Sequence, residues 1–185
     1  MSKPTPAISM RKADHIDLCI SGDVGFRQKT TLFEDIDLIH NALPELALNE
    51  IDLTCDFAGK TLQAPLVIAA MTGGVDRATQ INQDLASLAE EFGIGFAFGS
   101  QRPLLTDGIT DGYLVREQAP SALVLGNIGI VQARSASNQA LKEMLNISAV
   151  DALCVHLNPA MELVQPEGDQ DFRGGLDTIK RLLDT

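Results

Sequence analysis

The chain has 185 residues, of which 45% are hydrophobic and 21% charged, and its formal net charge of -11 gives a pI of about 4.5. A chain of this length and hydrophobic content can bury a core, so disorder is excluded and one domain is the ordinary expectation. The acidic balance argues against nucleic acid or an anionic membrane as a general partner, because both favour a basic face.

The N-terminal stretch MSKPTPAISMRKADHIDLCI has no apolar core of signal-peptide length. No apolar run in the chain approaches the roughly 20 residues that a membrane span needs. The three cysteines, Cys19, Cys55 and Cys154, are widely spaced and form no CxxC pair. Buried free thiols in a reducing compartment fit this pattern better than a disulfide framework. We therefore predict a cytoplasmic protein.

The first 60 residues are predicted to form a polar, partly helical arm, and LTCDFAGKTLQAPL a small hairpin. The short apolar run PLVIAAM, residues 65–71, is typical of a strand buried on both faces. After it, Asp76 and Gly93 mark the start and the stop of an amphipathic helix. Four apolar residues share one face of that helix and are expected to meet the core: Ile81, Leu85, Leu88 and Phe92.

The alternation of strand and helix then continues to the end of the chain. Strands are predicted at IGFAFG (94–99), SALVLGN (121–127) and DALCVHLN (151–158). Helices are predicted near 111–119, near 136–146, and in a last segment whose apolar face carries Phe172, Leu176, Ile179 and Leu183. Four strand-helix units with buried strands indicate a parallel α/β sheet, because parallel neighbours need crossovers of helix length.

Each predicted strand ends in a polar or glycine-rich cluster. These clusters are MTGG (71–74), GSQR (99–102), GNIG (126–129) and HLNP (156–159). Any one of them is consistent with an ordinary turn, in which glycine supplies an unusual φ and Asn or Ser caps a helix. Four at equivalent positions favour a ligand site, because ligands of parallel α/β folds bind at the carboxyl ends of the strands.

Several side chains in these clusters have two interpretations. Arg102 is either a solvated charge or an anion clamp, and its position at a strand end favours the clamp. His156 is either a core histidine or a ligand-binding group, and Asn158 is expected to share its strand face. Glu162 is either a first-turn glutamate or a carboxylate near the same pocket. A single carboxylate suggests Mg²⁺ carried in by phosphates, not a held Zn²⁺.

Five segments occur in order and together resemble the type 2 isopentenyl-diphosphate isomerases: MRKADHI, AAMTGG, GSQR, GNIG and HLNPAMELVQPEGDQDF. The resemblance runs over nearly the whole chain, and the last segment is its most specific part. It implies a flavin-dependent (β/α)8 TIM barrel that interconverts isopentenyl and dimethylallyl diphosphate in isoprenoid biosynthesis. The implied cofactors are reduced FMN, Mg²⁺ and NADPH, the last as the reductant of the flavin.

The resemblance also implies roles for individual residues. The flavin would be lined by Ala70, Met71, Thr72, Ser100 and Asn127. The substrate diphosphate would be held by Arg102, His156 and Asn158, together with Arg11 and Lys12 from the arm of a neighbouring subunit in a homo-oligomer. On pattern alone, Arg11 and Lys12 are solvated charges. Glu162 would carry the Mg²⁺, and the reduced flavin would be the acid or base, so no catalytic side chain is assigned.

Two features depart from the family pattern. Met161 stands where members of the family often have glutamine, and a thioether is at best a weak hydrogen-bond acceptor. A (β/α)8 barrel needs roughly 250 residues, whereas this sequence holds about four of its units. Residues 61–185 are therefore expected to be the first half of a flavin-binding TIM barrel, after an arm and cap region at 1–60. We expect a truncated gene product, a fragment or one part of a split enzyme.

The sequence has three alternative interpretations. An FMN-dependent oxidoreductase, such as a hydroxy-acid oxidase or dihydroorotate dehydrogenase, would not need the Arg-Lys pair or the His-x-Asn-Pro-x-x-Glu motif. An inactive half barrel that retains the motifs by descent stays open. A doubly wound nucleotide-binding fold is disfavoured, because MTGGVD lacks the G-x-G-x-x-G spacing.

Overall fold

The computed structural model describes residues 6–165 and 168–184, with side chains from residue 14 onwards. Helix α1 spans Pro6–Ser21, and two 3-10 turns follow at Phe33–Asp35 and Leu48–Glu50. Every residue from 17 to 54 is exposed, so this segment adds no core of its own. No helix in the described part of the chain is long and apolar enough to cross a bilayer.

The predicted hairpin is present, with β1 (Cys55–Phe57) paired antiparallel to β2 (Lys60–Leu62). The remaining strands form one parallel sheet of four, in which spatial order equals chain order. They are β3 (Val67–Ile68), β4 (Gly95–Ala97), β5 (Val124–Gly129) and β6 (Ala152–His156). The predicted parallel α/β sheet is confirmed, and an ordered sheet of this kind is compatible with part of a barrel. The expectation that residues 65–71 form a strand buried on both faces is wrong, because β3 has two residues and Leu66 and Val67 are 59% and 39% exposed.

Helices connect and follow the parallel strands. They are α2 (Asp76–Phe92), α3 (Arg102–Asp107), α4 (Ile130–Ser135), α5 (Asn138–Ser148), α6 (Pro159–Val164) and α7 (Gly175–Leu183). The start and stop predicted for α2 are confirmed, and Gly93 closes the helix with a φ of 60°. The helix predicted near 111–119 is wrong. Pro103 begins α3 earlier, and Gly108 and Gly112 take positive φ values of 67° and 75°, which end the helix and turn the chain.

Helix α2 packs on the sheet mainly through small side chains, and the apolar face that the sequence predicts is only partly confirmed, since Leu85 packs against the core. Leu88 and Phe92 are 43% and 60% exposed. The buried residues of the helix are Ala78, Asn82, Ala86 and Ala89. Alanine lets a helix approach a sheet closely, and at Leu88 and Phe92 the larger apolar side chains remain largely in solvent.

Aromatic residues fill the centre of the main core. Phe96 and Phe98 meet edge to face with their ring centroids 5.2 Å apart, and Phe98 meets Tyr113 in the same way at 5.6 Å. All three residues are buried. Edge-to-face pairs add roughly 0.5–1.5 kcal/mol beyond the burial of their area. Because Tyr113 lies in the loop after α3, this contact ties that loop to the sheet.

The cysteines are all unpaired, but the expectation that they are buried is wrong for Cys19, which is exposed on α1. Cys55 and Cys154 are partly buried. Both pack against a small cluster of buried residues that includes Leu62 and Leu123. They act there as small apolar side chains.

The amino ends of the strands are held by a network around Arg116. Its guanidinium donates to the carbonyls of Ala119, Ala122 and Ala149 at distances of 2.5–3.0 Å. It also pairs with Asp151 at 3.0 Å. Asp151 in turn accepts the N–H of Val124 at 2.8 Å. This network closes the end of the sheet opposite the four clusters.

Replacement of Arg116 by alanine is predicted to cost about 2–3 kcal/mol of unfolding free energy, because several partly buried acceptors lose their donor. Arg77 pairs with Asp17 at 2.6 Å, but both side chains are more than half exposed. Arg77→Ala is therefore the matched control, with an expected cost below about 1 kcal/mol. Urea denaturation followed by circular dichroism measures both. Equal costs for the two variants would show that the Arg116 network is not structural.

Candidate functional site

The four strand-end clusters meet at one edge of the sheet and are joined to one another by hydrogen bonds. The N–H of Gly99 donates to the carbonyl of Thr72 at 3.1 Å, which links MTGG to GSQR. The N–H of Gln101 donates to the carbonyl of Asn127 at 2.7 Å, which links GSQR to GNIG. His156 and Asn127 join GNIG to HLNP through their side chains. The four clusters are therefore joined into one hydrogen-bonded edge of the sheet.

The MTGG turn has a backbone that only glycine fits. Gly74 has a φ of 74°, and its N–H donates to the carbonyl of Asp111 at 2.8 Å. A Cβ at this position would lie 2.8 Å from the Pro103 ring. Ala70 and Met71, which precede the turn, are exposed, and Thr72 is half-buried. The turn thus presents a small apolar surface beside a hydroxyl group.

Strands β5 and β6 bring Asn127 and His156 together. Their register pairs Asn127 with Cys154 and Gly129 with His156. The Nδ1 atom of His156 lies 2.8 Å from Oδ1 of Asn127. Because an amide oxygen only accepts, Nδ1 carries the proton and donates it, and Nε2 of the neutral ring is left as an acceptor. A Cβ on Gly129 would come within 3.0 Å of that Nε2.

The environment of His156 favours its neutral form. Burial lowers the pKa of His156 below its ordinary value of 6.5, and the negative charge of Glu162 opposes this shift only in part. An additional anion near the ring would favour the imidazolium. The protonation of this side chain is therefore sensitive to whether an anionic ligand is bound.

Arg102 lines a cavity of about 350 Å³ between α3, α4 and the start of α5. Gln132 and Asp169 also line it, and Nε2 of Gln132 donates to Oδ2 of Asp169 at 2.6 Å. The N–H of Asp169 donates to Oε2 of Glu162 at 3.1 Å. A chain of contacts therefore runs from the Arg102 cavity to Glu162, although these residues are 60 positions apart in sequence.

The HLNP segment leaves the sheet earlier than the sequence predicts. Strand β6 ends at His156, and Asn158 is the residue that precedes α6. The expectation that both side chains share a strand face is therefore wrong, because Asn158 has left the strand. Pro159 starts the helix, as its fixed φ favours at a first helical position. Met161 is 57% exposed on α6, and Glu162 is half-buried in its first turn.

The backbones of Arg11 and Lys12 lie in α1, but their side chains are outside the described residues. Later in the same helix, Asp17 forms its hydrogen bond with Arg77 in the first turn of α2. That turn follows directly on MTGG. Helix α1 is thus connected to the side of the site at which β3 ends.

Three buried polar side chains at this edge were missed by sequence reasoning. Gln101 is fully buried, and its Oε1 accepts the N–H of Asn127 at 2.9 Å. Asn82 donates to the carbonyl of Thr72 at 3.1 Å, and the Tyr113 hydroxyl donates to the carbonyl of Ser100 at 2.5 Å. The only available signal was the polar residue at 82 on the predicted helix and the GSQR cluster itself.

No group of three or more His, Cys, Asp or Glu side chains in the described ranges is placed to hold a metal ion. Glu162 is a carboxylate near the Arg102 cavity, which Asp169 also lines. Such a group can complete the coordination of a cation that arrives with its own oxygen ligands, but it does not form a site for a bare transition metal.

No protein-family model matches the chain. Curated relatives do match it. The chain is 43% identical to an isopentenyl-diphosphate delta-isomerase of Methanococcoides burtonii over 176 residues, which is 94% of this chain and 49% of that protein. Proteins of the same description from Methanosarcina barkeri and a Nostoc species are 44% and 41% identical, over 94% and 98% of this chain.

The shared region covers 48% of the Methanosarcina protein and 54% of the Nostoc protein. The chain therefore spans about half the length of the curated relatives that it matches. The likeness to isopentenyl-diphosphate isomerases is therefore confirmed over nearly the whole chain, and the roles of individual residues stay predictions. The protein is a homologue of the isopentenyl-diphosphate delta-isomerases over about half of their length.

Proposed function

We propose that the joined clusters form the flavin-facing and diphosphate-binding part of a type 2 isopentenyl-diphosphate isomerase site. The reaction would be isomerisation of isopentenyl diphosphate to dimethylallyl diphosphate, with FMN reduced by NADPH and Mg²⁺ on the diphosphate. The observation that carries the proposal is the hydrogen bond between Asn127 and His156, at 2.8 Å. It joins a residue assigned to the cofactor to one assigned to the substrate, as catalysis at a flavin face requires.

The residues at the first three clusters fit a flavin. A flavin has a polar edge and apolar faces, and the site offers the hydroxyls of Thr72 and Ser100 and the amide of Asn127 beside the exposed Ala70 and Met71. In this proposal the three polar groups hold the polar edge, and the two apolar side chains lie against a ring face.

The diphosphate would be bound at the Arg102 cavity and His156. In a chain of net charge -11, an anionic ligand needs a local group of cations. Arg102 supplies paired N–H donors, and the Asn158 amide adds another donor. Neutral His156 gains a proton as the anion approaches, and Asn127 fixes its ring orientation. Arg11 and Lys12 from the arm of a neighbouring subunit would complete the group in a homo-oligomer.

Glu162 would hold the Mg²⁺ that the diphosphate carries. Its contact with the Asp169 N–H orients the carboxylate while the neighbouring cavity stays open to phosphate oxygens. Mg²⁺ keeps an octahedral shell made largely of water and phosphate oxygens, so one protein carboxylate is sufficient.

When bound, reduced FMN supplies the acid or base for proton transfer at carbon and an electron-rich ring for a cation-like state. The protein binds the diphosphate, orients the short apolar tail towards the flavin and excludes water. Binding energy at the diphosphate is thereby used to position atoms that are not themselves charged.

Turnover by the 185-residue chain tests the proposal. The chain is incubated without oxygen with FMN, NADPH, Mg²⁺ and isopentenyl diphosphate, and dimethylallyl diphosphate is measured by NMR. We expect product, and we expect Arg102→Gln to raise KM by about 10–100-fold, because a charge-assisted contact is lost. Arg173→Gln, at an exposed arginine paired with Asp171, is the matched control. No product from a folded, flavin-loaded chain, or equal KM values for both variants, would contradict the proposal.

The protonation of His156 should respond to diphosphate. Because the folded chain binds this proton less readily than the unfolded chain, His156 lowers stability as pH falls from 6.5 towards its depressed pKa. NMR titration of the ring should give a pKa below 6.5 in the free chain, and inorganic diphosphate should raise it. The exposed His40 ring reports nonspecific binding through its chemical shifts. An unchanged His156 pKa in the presence of diphosphate would show that His156 does not take part in diphosphate binding.

Replacement of Met161 by glutamine is predicted to raise kcat by about tenfold or more, because an amide can orient a proton-transfer partner and a thioether cannot. Met161 is exposed on α6, so the change needs no repacking of the core. Leu163→Gln, at a similarly exposed position of the same helix, controls for surface polarity. Steady-state kinetics compares the two. An equal effect of both changes would show that position 161 plays no part in the reaction.

A further inference from the structure

We propose that Asn82, Gln101 and Tyr113 are positioning residues that fix the backbone of the flavin-facing turns before the cofactor binds. The inference rests on the proposed function and deepens it. Each of the three side chains is buried and comes from a different part of the chain. Each binds the main chain of one residue assigned to the flavin, namely Thr72, Ser100 or Asn127.

Asn82 holds the MTGG turn. It lies on the sheet-facing side of α2 and is 2% exposed. Its Nδ2 donates to the carbonyl of Thr72 at 3.1 Å and to that of Gly112 at 2.7 Å. One amide thus spans two loops, the turn after β3 and the loop after α3. Leucine would fill the same volume but would remove one donor from each of the two carbonyls, of which that of Thr72 keeps the N–H of Gly99.

Tyr113 holds the GSQR turn. Its ring packs on Phe98, and its hydroxyl donates to the carbonyl of Ser100 at 2.5 Å. A Cβ on Gly73 would collide with the Tyr113 ring, so the neighbouring MTGG turn accepts only glycine at position 73. Burial raises the pKa of Tyr113 far above its ordinary value, and the hydroxyl therefore remains a donor.

Gln101 holds the GNIG turn. Its Oε1 accepts the N–H of Asn127 at 2.9 Å, while its own N–H donates to the Asn127 carbonyl at 2.7 Å. Its Nε2 donates to the hydroxyl of Ser148 at the end of α5, at 2.8 Å. The N–H and the carbonyl of Asn127 are therefore both bound by Gln101, while the Asn127 side chain bonds to His156.

The chemistry of these positions argues for a role beyond packing. A buried amide or hydroxyl is costly unless each of its polar atoms is satisfied, and an apolar residue of equal size avoids that cost. Each of the three side chains makes at least one hydrogen bond to the backbone of a turn at one edge of the sheet, and Asn82 and Gln101 also bond to Gly112 and Ser148. Fixing a loop in its ligand-bound conformation reduces the entropy lost on binding. Loss of one of these contacts should therefore weaken cofactor binding more than it weakens the fold.

Three variants of near-equal volume test the inference: Asn82→Leu, Gln101→Met and Tyr113→Phe. The control is Thr178→Val, which removes a buried hydroxyl that donates to the Gly174 carbonyl on α7, outside the three turns. FMN affinity is measured by quenching of flavin fluorescence, and ring geometry by visible circular dichroism of the bound flavin. Each variant is expected to raise the Kd for FMN by about tenfold and to alter the visible spectrum, whereas the control changes neither.

Amide hydrogen exchange by NMR in the flavin-free chain gives a second, independent readout. The N–H of Asn127 should exchange about tenfold faster in Gln101→Met, and that of Gly99, which is bonded to Thr72, about tenfold faster in Asn82→Leu. Thr178→Val should leave both rates at the wild-type value. Failure of the wild-type chain to bind FMN would refute the proposed function, while the exchange rates would still decide whether these side chains hold the turns. Unchanged exchange rates, or an unchanged Kd in folded variants, overturn the inference.

Discussion

The register between β5 and β6 is the constraint on which the site depends. It pairs Gly129 with His156 and Asn127 with Cys154, and so places the Asn127 and His156 side chains on the same face of the sheet. A slip of one residue would turn every side chain of β6 to the opposite face. The Gln101 bridge to the Asn127 backbone and the bond between Asn127 and His156 both oppose such a slip. The same contacts that fix the register therefore assemble the polar groups into a site.

The amino ends and the carboxyl ends of the parallel strands carry different kinds of polar contact. At the amino ends, the charged side chains of Arg116 and Asp151 form an ion pair and make hydrogen bonds to backbone groups. At the carboxyl ends, Arg102 lines a cavity, and His156 bonds to Asn127. Buried neutral side chains, and not charges, hold that second end. A site for an anionic ligand benefits from this arrangement, because the neutral groups that hold the turns do not compete with the ligand for Arg102.

Local patterns in the sequence predicted the features that have local causes. Short runs of branched residues marked the strands, and Asp76 and Gly93 bounded α2 correctly. The helix near 111–119 was wrong because two glycines with positive φ override the apolar pattern there. The face of α2 was wrong at Leu88 and Phe92, because alanine, which carries little hydrophobic signal, allows a closer contact with the sheet. Gln101, Asn82 and Tyr113 could not be found, since their partners lie 10 to 47 residues away in the chain.

The most direct measurement is the visible absorption spectrum of the 185-residue chain after incubation with FMN and removal of free flavin by gel filtration. The turns that would face the ring are already joined by hydrogen bonds and are held by buried side chains, so a retained flavin band at about one FMN per chain is predicted. A folded chain that elutes without flavin would contradict the claim that these clusters form a cofactor site in this protein.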